Sequence, residues 1–210
     1  MCKPASFVVT QKRVLWSTLT DSHEEIIAEY CLHEGAPARM MAEKSANFVR
    51  VEIAPPGRDM SLPPRQWIYR LDQDFQPDWY DADETEKRCR VELKKWRRHK
   101  VVKSGHRVAK EGNLYLCGNA TGRFYDNATG AFYGNATGRL CDNARGAFYG
   151  NATGKFYGNA TGKFYDNARG KFYGNATGSL WSKCAKCTAI GPMAVIVDRT
   201  GARAKCTVGK

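Results

Sequence analysis

The chain of 210 residues is 42% hydrophobic and 26% charged, which is enough apolar material for a packed core and an ordinary charge content for a globular protein. No run approaches the roughly 18 consecutive apolar residues of a membrane span, and Met1-Cys2-Lys3-Pro4-Ala5-Ser6 lacks the apolar centre of a secretory signal, so a cytoplasmic protein with no membrane partner is expected. The formal net charge of +12 is uneven: residues 1–115 carry 20 Lys/Arg against 17 Asp/Glu, residues 116–179 carry 7 against 3, and residues 180–210 carry 6 against 1.

Residues 1–100 read as a small α+β domain. Phe7–Val9 and Val14–Trp16 flank Thr10-Gln11-Lys12-Arg13 as the arms of a hairpin, and Asp21-Ser22-His23-Glu24 supplies an N-cap for a short helix reaching about Tyr30. Asn47–Ile53 alternates as a half-buried strand and stops at Pro55-Pro56-Gly57, and Gln66–Leu71 follows as another strand. A long helix is expected from about Asp83 to His99, with Cys89, Leu93 and Trp96 as its buried stripe. Asp83, Glu84 and Glu86 lie near its start and Lys94, Lys95, Arg97 and Arg98 near its end, the order that the helix dipole favours. With Lys100 these cations make a basic helix inside Lys87–Lys110, where eleven basic residues stand against Glu92 alone. Residues 101–115 read as a basic transition and a first, irregular coil, with Val108, Leu114 and Leu116 pointing inward.

From Leu116 to Ser179 one eight-residue unit is repeated eight times without insertion or deletion: [Leu/Phe]-[Tyr/Cys]-[Gly/Asp]-Asn-Ala-[Thr/Arg]-Gly-X. An even period keeps each residue type on one side of an extended backbone, so identical side chains form columns when units stack. Numbered from Leu116, position 1 (Leu/Phe), position 5 (Ala) and position 7 (Gly) share the inner face. Gly opposite Phe lets two faces close around the ring. Gly or Asp at position 3 and Asn at position 4 suit a turn with φ > 0, and stacked Asn amides can satisfy one another. The expected fold is an all-β solenoid, a β-helix of octapeptide repeats with two octads (sixteen residues) to the coil. The alternative is three octads (twenty-four) to the coil, suggested by Leu-Cys at 116 and 140 and by Asn-Ala-Arg-Gly at 143 and 167. With three octads the outward Cys117 and Cys141 would sit on adjacent rungs; with two they lie on opposite faces. Residues 180–210 lose the octad and are expected to cap the array, ending in a β-hairpin around Asp198-Arg199-Thr200-Gly201.

Outward, the array offers Arg123, Arg139, Arg145, Lys155, Lys163, Arg169 and Lys171 together with Tyr125, Tyr133, Tyr149, Tyr157, Tyr165 and Tyr173. Interleaved cations and aromatics suit phosphate contact, base stacking and cation–aromatic pairing between rungs. The same ladders would also serve simply to stabilise and solubilise a two-sided sheet.

Other constellations are thinner. Cys184 and Cys187, with Cys206 nineteen residues later, make half of a zinc pattern and are one ligand short, so no metal or cofactor is expected. The remaining cysteines (Cys2, Cys31, Cys89, Cys117, Cys141) are expected to be reduced, and the six Asn-Ala-Thr sequons are repeat positions first. Gly-Asn-Ala-Thr-Gly-Lys lacks the spacing of a phosphate loop. His23, Glu24, Cys31 and His33 are close enough in sequence for an acid–base or nucleophile cluster, yet they fit a helix start and end equally well.

The segments Met1–Thr10, Trp16, Ser22-His23-Glu24, Val49-Arg50-Val51-Glu52-Ile53, Asp72-Gln73-Asp74 and Pro77-Asp78-Trp79-Tyr80, followed by a basic helix and an octad array, resemble a set of bacteriophage and prophage proteins of unknown function over nearly the whole length. In those proteins the octads read more like Ala-Tyr-Gly-Ser-Ala-Thr-Val-Arg. Gly at position 7 and Leu/Phe at position 1 here amount to a paired exchange of volume, as two inward positions require. The resemblance implies a phage origin with a host-directed or virion role and transfers no catalytic residue. The expected function is therefore a non-enzymatic interaction protein. Its basic, aromatic surface would bind nucleic acid or another polyanion, or an acidic protein; it would alternatively inhibit or scaffold a host protein, or carry an enzyme in residues 1–110. Stacking of solenoids would be a further mode of association.

Overall fold

The computed structural model describes residues 5–32, 46–201 and 205–209. The chain forms two compact units, Met1–His99 and Lys100–Lys210. In the first, β1 (Ser6–Thr10), β2 (Val14–Leu15), α1 (His23–Glu29), β3 (Phe48–Ala54), β4 (Ile68–Leu71) and α2 (Ala82–Lys100, which runs to the start of the second unit) follow the expected order. The four strands make one antiparallel sheet in the order β2-β1-β3-β4. Ser22 caps α1 by accepting a hydrogen bond from the Glu25 N–H. β3 is central, and so it is buried more continuously than a half-buried strand, with Phe48, Val49, Val51 and Ile53 all inside. Val8, Leu15, Ile26 and Phe48 form one cluster with Ile27 and Tyr30 against it. The stripe of α2 is as expected: Cys89, Leu93 and Trp96 are fully buried, and Trp96 meets Trp67 edge-on at 6.1 Å.

The second unit is a parallel β-solenoid. Its strands are β5 (Val101–Val102), β6 (His106–Ala109), β7 (Asn113–Leu116), β8 (Thr121–Phe124), β9 (Thr129–Phe132), β10 (Thr137–Leu140), β11 (Arg145–Phe148), β12 (Thr153–Phe156), β13 (Thr161–Phe164), β14 (Arg169–Tyr173), β15 (Thr177–Leu180), β16 (Lys186–Ile190), β17 (Val195–Asp198) and β18 (Lys205–Gly209). Odd-numbered strands build one seven-stranded sheet and even-numbered strands the other. Thr121, Thr137 and Thr153 are successive register partners, which fixes two octads to the coil through the array. The recurrences of Leu-Cys and Asn-Ala-Arg-Gly, three octads apart, therefore fall on opposite sheets. Cys117 follows an odd strand and Cys141 an even one, and Cys117 is buried rather than outward.

Every inward Phe, Leu and Ala of the array is fully buried. Rings one coil apart lie face to face, as in Phe132–Phe148 at 4.3 Å and Phe156–Phe172 at 4.5 Å, whereas rings from opposite sheets meet edge-on, as in Phe148–Phe156 at 5.4 Å. Such aromatic pairs add about 0.5–1.5 kcal/mol each beyond their area. The glycine at position 7 makes room for them: a Cβ on Gly154 would stand 2.5 Å from Phe156 Cε2 and 2.8 Å from Phe148 Cζ. At position 3 the chain turns with positive φ, on Gly134 (66°) as on Asp126 (51°), Asp142 (58°) and Asp166 (52°). These are residue types that tolerate the left-handed region. The turns are laddered too. Asn135 N–H donates to the Gly118 carbonyl, the Gly150 N–H donates to Asp166 Oδ2, and Asn159 and Asn175 side chains donate to the Asn one coil earlier.

The first, irregular coil expected over residues 101–115 belongs to the solenoid, which begins at Val101, because β5, β6 and β7 already pair in parallel within the two sheets. Two other expectations are corrected at the ends. Val108 is exposed, since it is the register partner of outward Arg123, and Ala109 packs on the core in its place. At the C-terminus β17 pairs in parallel with β15 and β18 with β16, so among the described residues the two last strands extend opposite sheets and do not pair as an antiparallel hairpin. The edges left open by β15 and β16 already offer a full row of backbone partners to a strand arriving in the same direction.

Gly154→Ala is expected to lower unfolding free energy by about 1–3 kcal/mol through overpacking against the edge-on pair Phe148 and Phe156. Gly134→Asp, an exchange the octad itself makes at a turn, should cost under about 1 kcal/mol. Urea denaturation of the two variants beside the parent checks the contrast.

Candidate functional site

Because each coil holds two octads, alternate octads send their outward side chains to alternate sheets, and the two outer faces differ. On the even sheet the position-8 column reads Val108, Arg123, Arg139, Lys155, Lys171, Thr188 in direct register. Beside it the position-6 column reads His106, Thr121, Thr137, Thr153, Arg169, Lys186, and continues to the register position of Lys205. On the odd sheet the corresponding columns read Tyr115, Ala131, Ala147, Lys163, Ser179, Val197 and Asn113, Thr129, Arg145, Thr161, Thr177, Val195. Five of the seven array cations expected to bind thus share one face, and Arg145 and Lys163 stand on the other. Neither outward column of the even sheet holds an acid. Arg123, Arg139, Lys155, Arg169, Lys171 and Lys186 are all exposed. Lys186 carries no octad signal in the sequence, because it lies beyond the array, where only the register assigns it to this face.

The tyrosines run along the turns as two further columns. Tyr133, Tyr149 and Tyr165 stack at 4.9 and 4.7 Å with Trp181 continuing the row at 6.3 Å, and Tyr157 stacks on Tyr173 at 4.8 Å. Within these stacks the facing sides of the rings are occupied by one another at the rung spacing, which leaves no gap for a base inserted between them. Where Cys141 interrupts the second row after Tyr125, Arg139 swings over the Tyr157 ring at 4.5 Å, the cation–aromatic pairing expected between rungs. Hydrogen bonding to Cys141 and the neighbouring Tyr157 raise the Arg139 pKa.

The basic helix is largely committed elsewhere. Lys95 pairs with Glu92 at 2.6 Å, and the Arg97 guanidinium lies over Trp67 at 5.1 Å. Lys100 is buried and donates to the Asn113 side chain. Among the described residues, Lys94 and Arg98 are the ones of the five expected cations that project into solvent without such a contact.

Among the described residues of the expected acid–base cluster, His23 and Glu24 are engaged with partners of their own. His23 is buried, with Nε2 at 3.1 Å from the Val51 carbonyl and Nδ1 at 3.4 Å from the Asp72 carboxylate, so both ring nitrogens are engaged. Glu24 accepts from the Ser22 hydroxyl at 2.8 Å, and its own backbone N–H together with that hydroxyl holds its carboxyl below the usual range. Cys31 is exposed rather than buried at the helix end, and His33 and Cys2 lie outside the described residues. In the cap, Cys184 is exposed while Cys187 points into the core at the position of the octad glycine, so this pair does not converge on an ion. Cys206 is the register partner of Cys187, and its side chain lies outside the described residues. Among the described residues no group of three His, Cys, Asp or Glu could hold a metal, and no helix is long and apolar enough to cross a membrane.

No protein-family model matches the chain, and neither does any curated protein or solved structure.

Burial pushes the Cys89 thiol up to about 12. Iodoacetamide at pH 8 is therefore expected to label exposed Cys184 within minutes and to leave Cys89 unlabelled until urea unfolds the first unit. Peptide mass spectrometry of the labelled chain checks the order.

Proposed function

We propose that the outer face of the even sheet binds the sugar-phosphate backbone of a single-stranded nucleic acid, without base readout and without catalysis. The observation that carries this reading is the unbroken column Arg123, Arg139, Lys155, Lys171, four like charges in direct register. Like charges directly opposite one another destabilise a sheet pair, and a bound polyanion relieves that repulsion. Repetition alone does not account for the column, because the odd sheet is built from the same octad and places Ala131, Ala147, Lys163 and Ser179 at the equivalent position, one cation in four. The four rungs span about 14 Å at the usual strand spacing of about 4.8 Å. A flexible single strand can follow so straight a column, whereas each strand of a duplex winds away from it. The mutual stacking of the tyrosines favours contact through phosphates over contact through bases.

Binding of a labelled oligothymidylate, followed by anisotropy, is expected to weaken about 50-fold between 50 and 200 mM salt, the response of about four released counterions on a single strand. Arg123→Ser with Lys155→Ser should flatten the log–log slope by about 1.4. Arg145→Thr with Lys163→Ser, which removes the same charge from the odd sheet, should leave it unchanged. Binding indifferent to salt, or equal losses in the two double variants, would overturn the assignment.

A further inference from the structure

The cation column does not keep one width. Through β8, β10 and β12 each rung presents a single cation at position 8 beside a threonine at position 6, namely Thr121, Thr137 and Thr153. At β14 the threonine gives way to Arg169, two residues before Lys171 and therefore on the same side of the strand. On the next rung Lys186 is the direct register partner of Arg169, while Lys171 is opposite Thr188, where the single-file column stops. Lys155 is the register partner of Lys171 from the other side. Four cations thus occupy a patch about 7 Å by 10 Å at ordinary strand geometry, and the register position of Lys205 adjoins it. Among the described residues this is the one place on the face where cations neighbour one another both along a strand and across strands.

We infer that this widened end seats the terminal phosphate monoester of the strand whose backbone lies on the column, an inference that rests on the nucleic-acid reading above. The chemistry of the two phosphate types matches the two widths. An internal phosphodiester carries one charge and suits one cation per rung. A terminal monoester carries about −1.5 to −2 at pH 7 and presents three acceptor oxygens, which suits Arg169, Lys171 and Lys186 converging from two directions. Arg169 adds the planar fork of donors that fits two of those oxygens at once. The place is also right, because the single-file path runs out at Lys171 and a strand following it has its end there.

Three oligothymidylates of one length, labelled internally and ending in a 5′-phosphate, in a 3′-phosphate or in hydroxyls only, distinguish the possibilities on the full chain. At least one phosphorylated probe is expected to bind about tenfold tighter than the hydroxyl-ended one. Arg169→Thr and Lys186→Thr, each placing the octad's usual residue at position 6, should abolish that preference by weakening the phosphorylated probe about tenfold more than the hydroxyl-ended one. Equal affinity of the three probes for the parent chain, or a preference that survives in both variants, overturns the seat. If the three bind equally and still lose affinity steeply with salt, the seat alone falls; if none binds, the face has no nucleic-acid role and both readings fall.

Discussion

The contact between each inward glycine and the phenylalanine rings beside it governs the second unit. A methyl group at position 7 would intrude to within 2.5–2.6 Å of a ring carbon at every array glycine from Gly122 to Gly178, so the two sheets close to the distance at which rings stack within a sheet and interlock between sheets. That closeness leaves no interior beyond a single layer of Ala and Phe. A core so thin cannot bind a ligand inside itself, and chemistry is confined to the outer columns and the turns. The rest of the architecture follows from keeping this layer continuous: short turns between strands, and left-handed Gly or Asp to make them.

Much of this is legible in the amino-acid order alone, for identifiable reasons. The even period decides which positions face inward, and the pairing of small position 7 with large position 1 is meaningful only if both lie in the same layer. The buried stripe of α2 is equally plain from Cys89, Leu93 and Trp96, because helical spacing acts locally. The coil length is harder. The recurrences three octads apart involve Leu, Cys and Arg variants that fit their positions equally well on either sheet, so they carry no information about contact. Val108 escapes the pattern because the coils before the array are shorter. Its partner is Arg123 and that of Val101 is Tyr115, so these coils fall one or two residues short of a double octad, and parity cannot be carried across them. The terminal turn looks like that of a hairpin because turn chemistry is local, whereas the choice of parallel pairing belongs to edges built earlier in the chain.

The candidate site is legible residue by residue and not as a surface. Arg123, Arg139, Lys155 and Lys171 are recognisable as outward cations, but their gathering on one face follows only from the coil length, and the widening at Arg169 and Lys186 only from a register that crosses the end of the array. The tyrosines make the opposite point. Their outward position is evident, yet whether an aromatic face is available depends on the distance to the next rung, and here the neighbouring ring takes it. The basic helix loses most of its apparent surface charge in the same way, to Glu92, to Trp67 and to the buried bond from Lys100 to Asn113.

Two octads to a coil give the array a parity. Adding or removing a pair of octads lengthens or shortens the rod and leaves every downstream side chain above the sheet it occupied before. Adding or removing one octad transfers everything beyond it to the opposite side and swaps the residues of odd and even strands, while the core, made of the same Ala, Gly and Phe on both sides, registers no difference. The buried layer is thus blind to a change that would cut the column of cations in two. The unbroken run of four cations on one face is therefore fixed by the count of octads between its members, to which the core is indifferent.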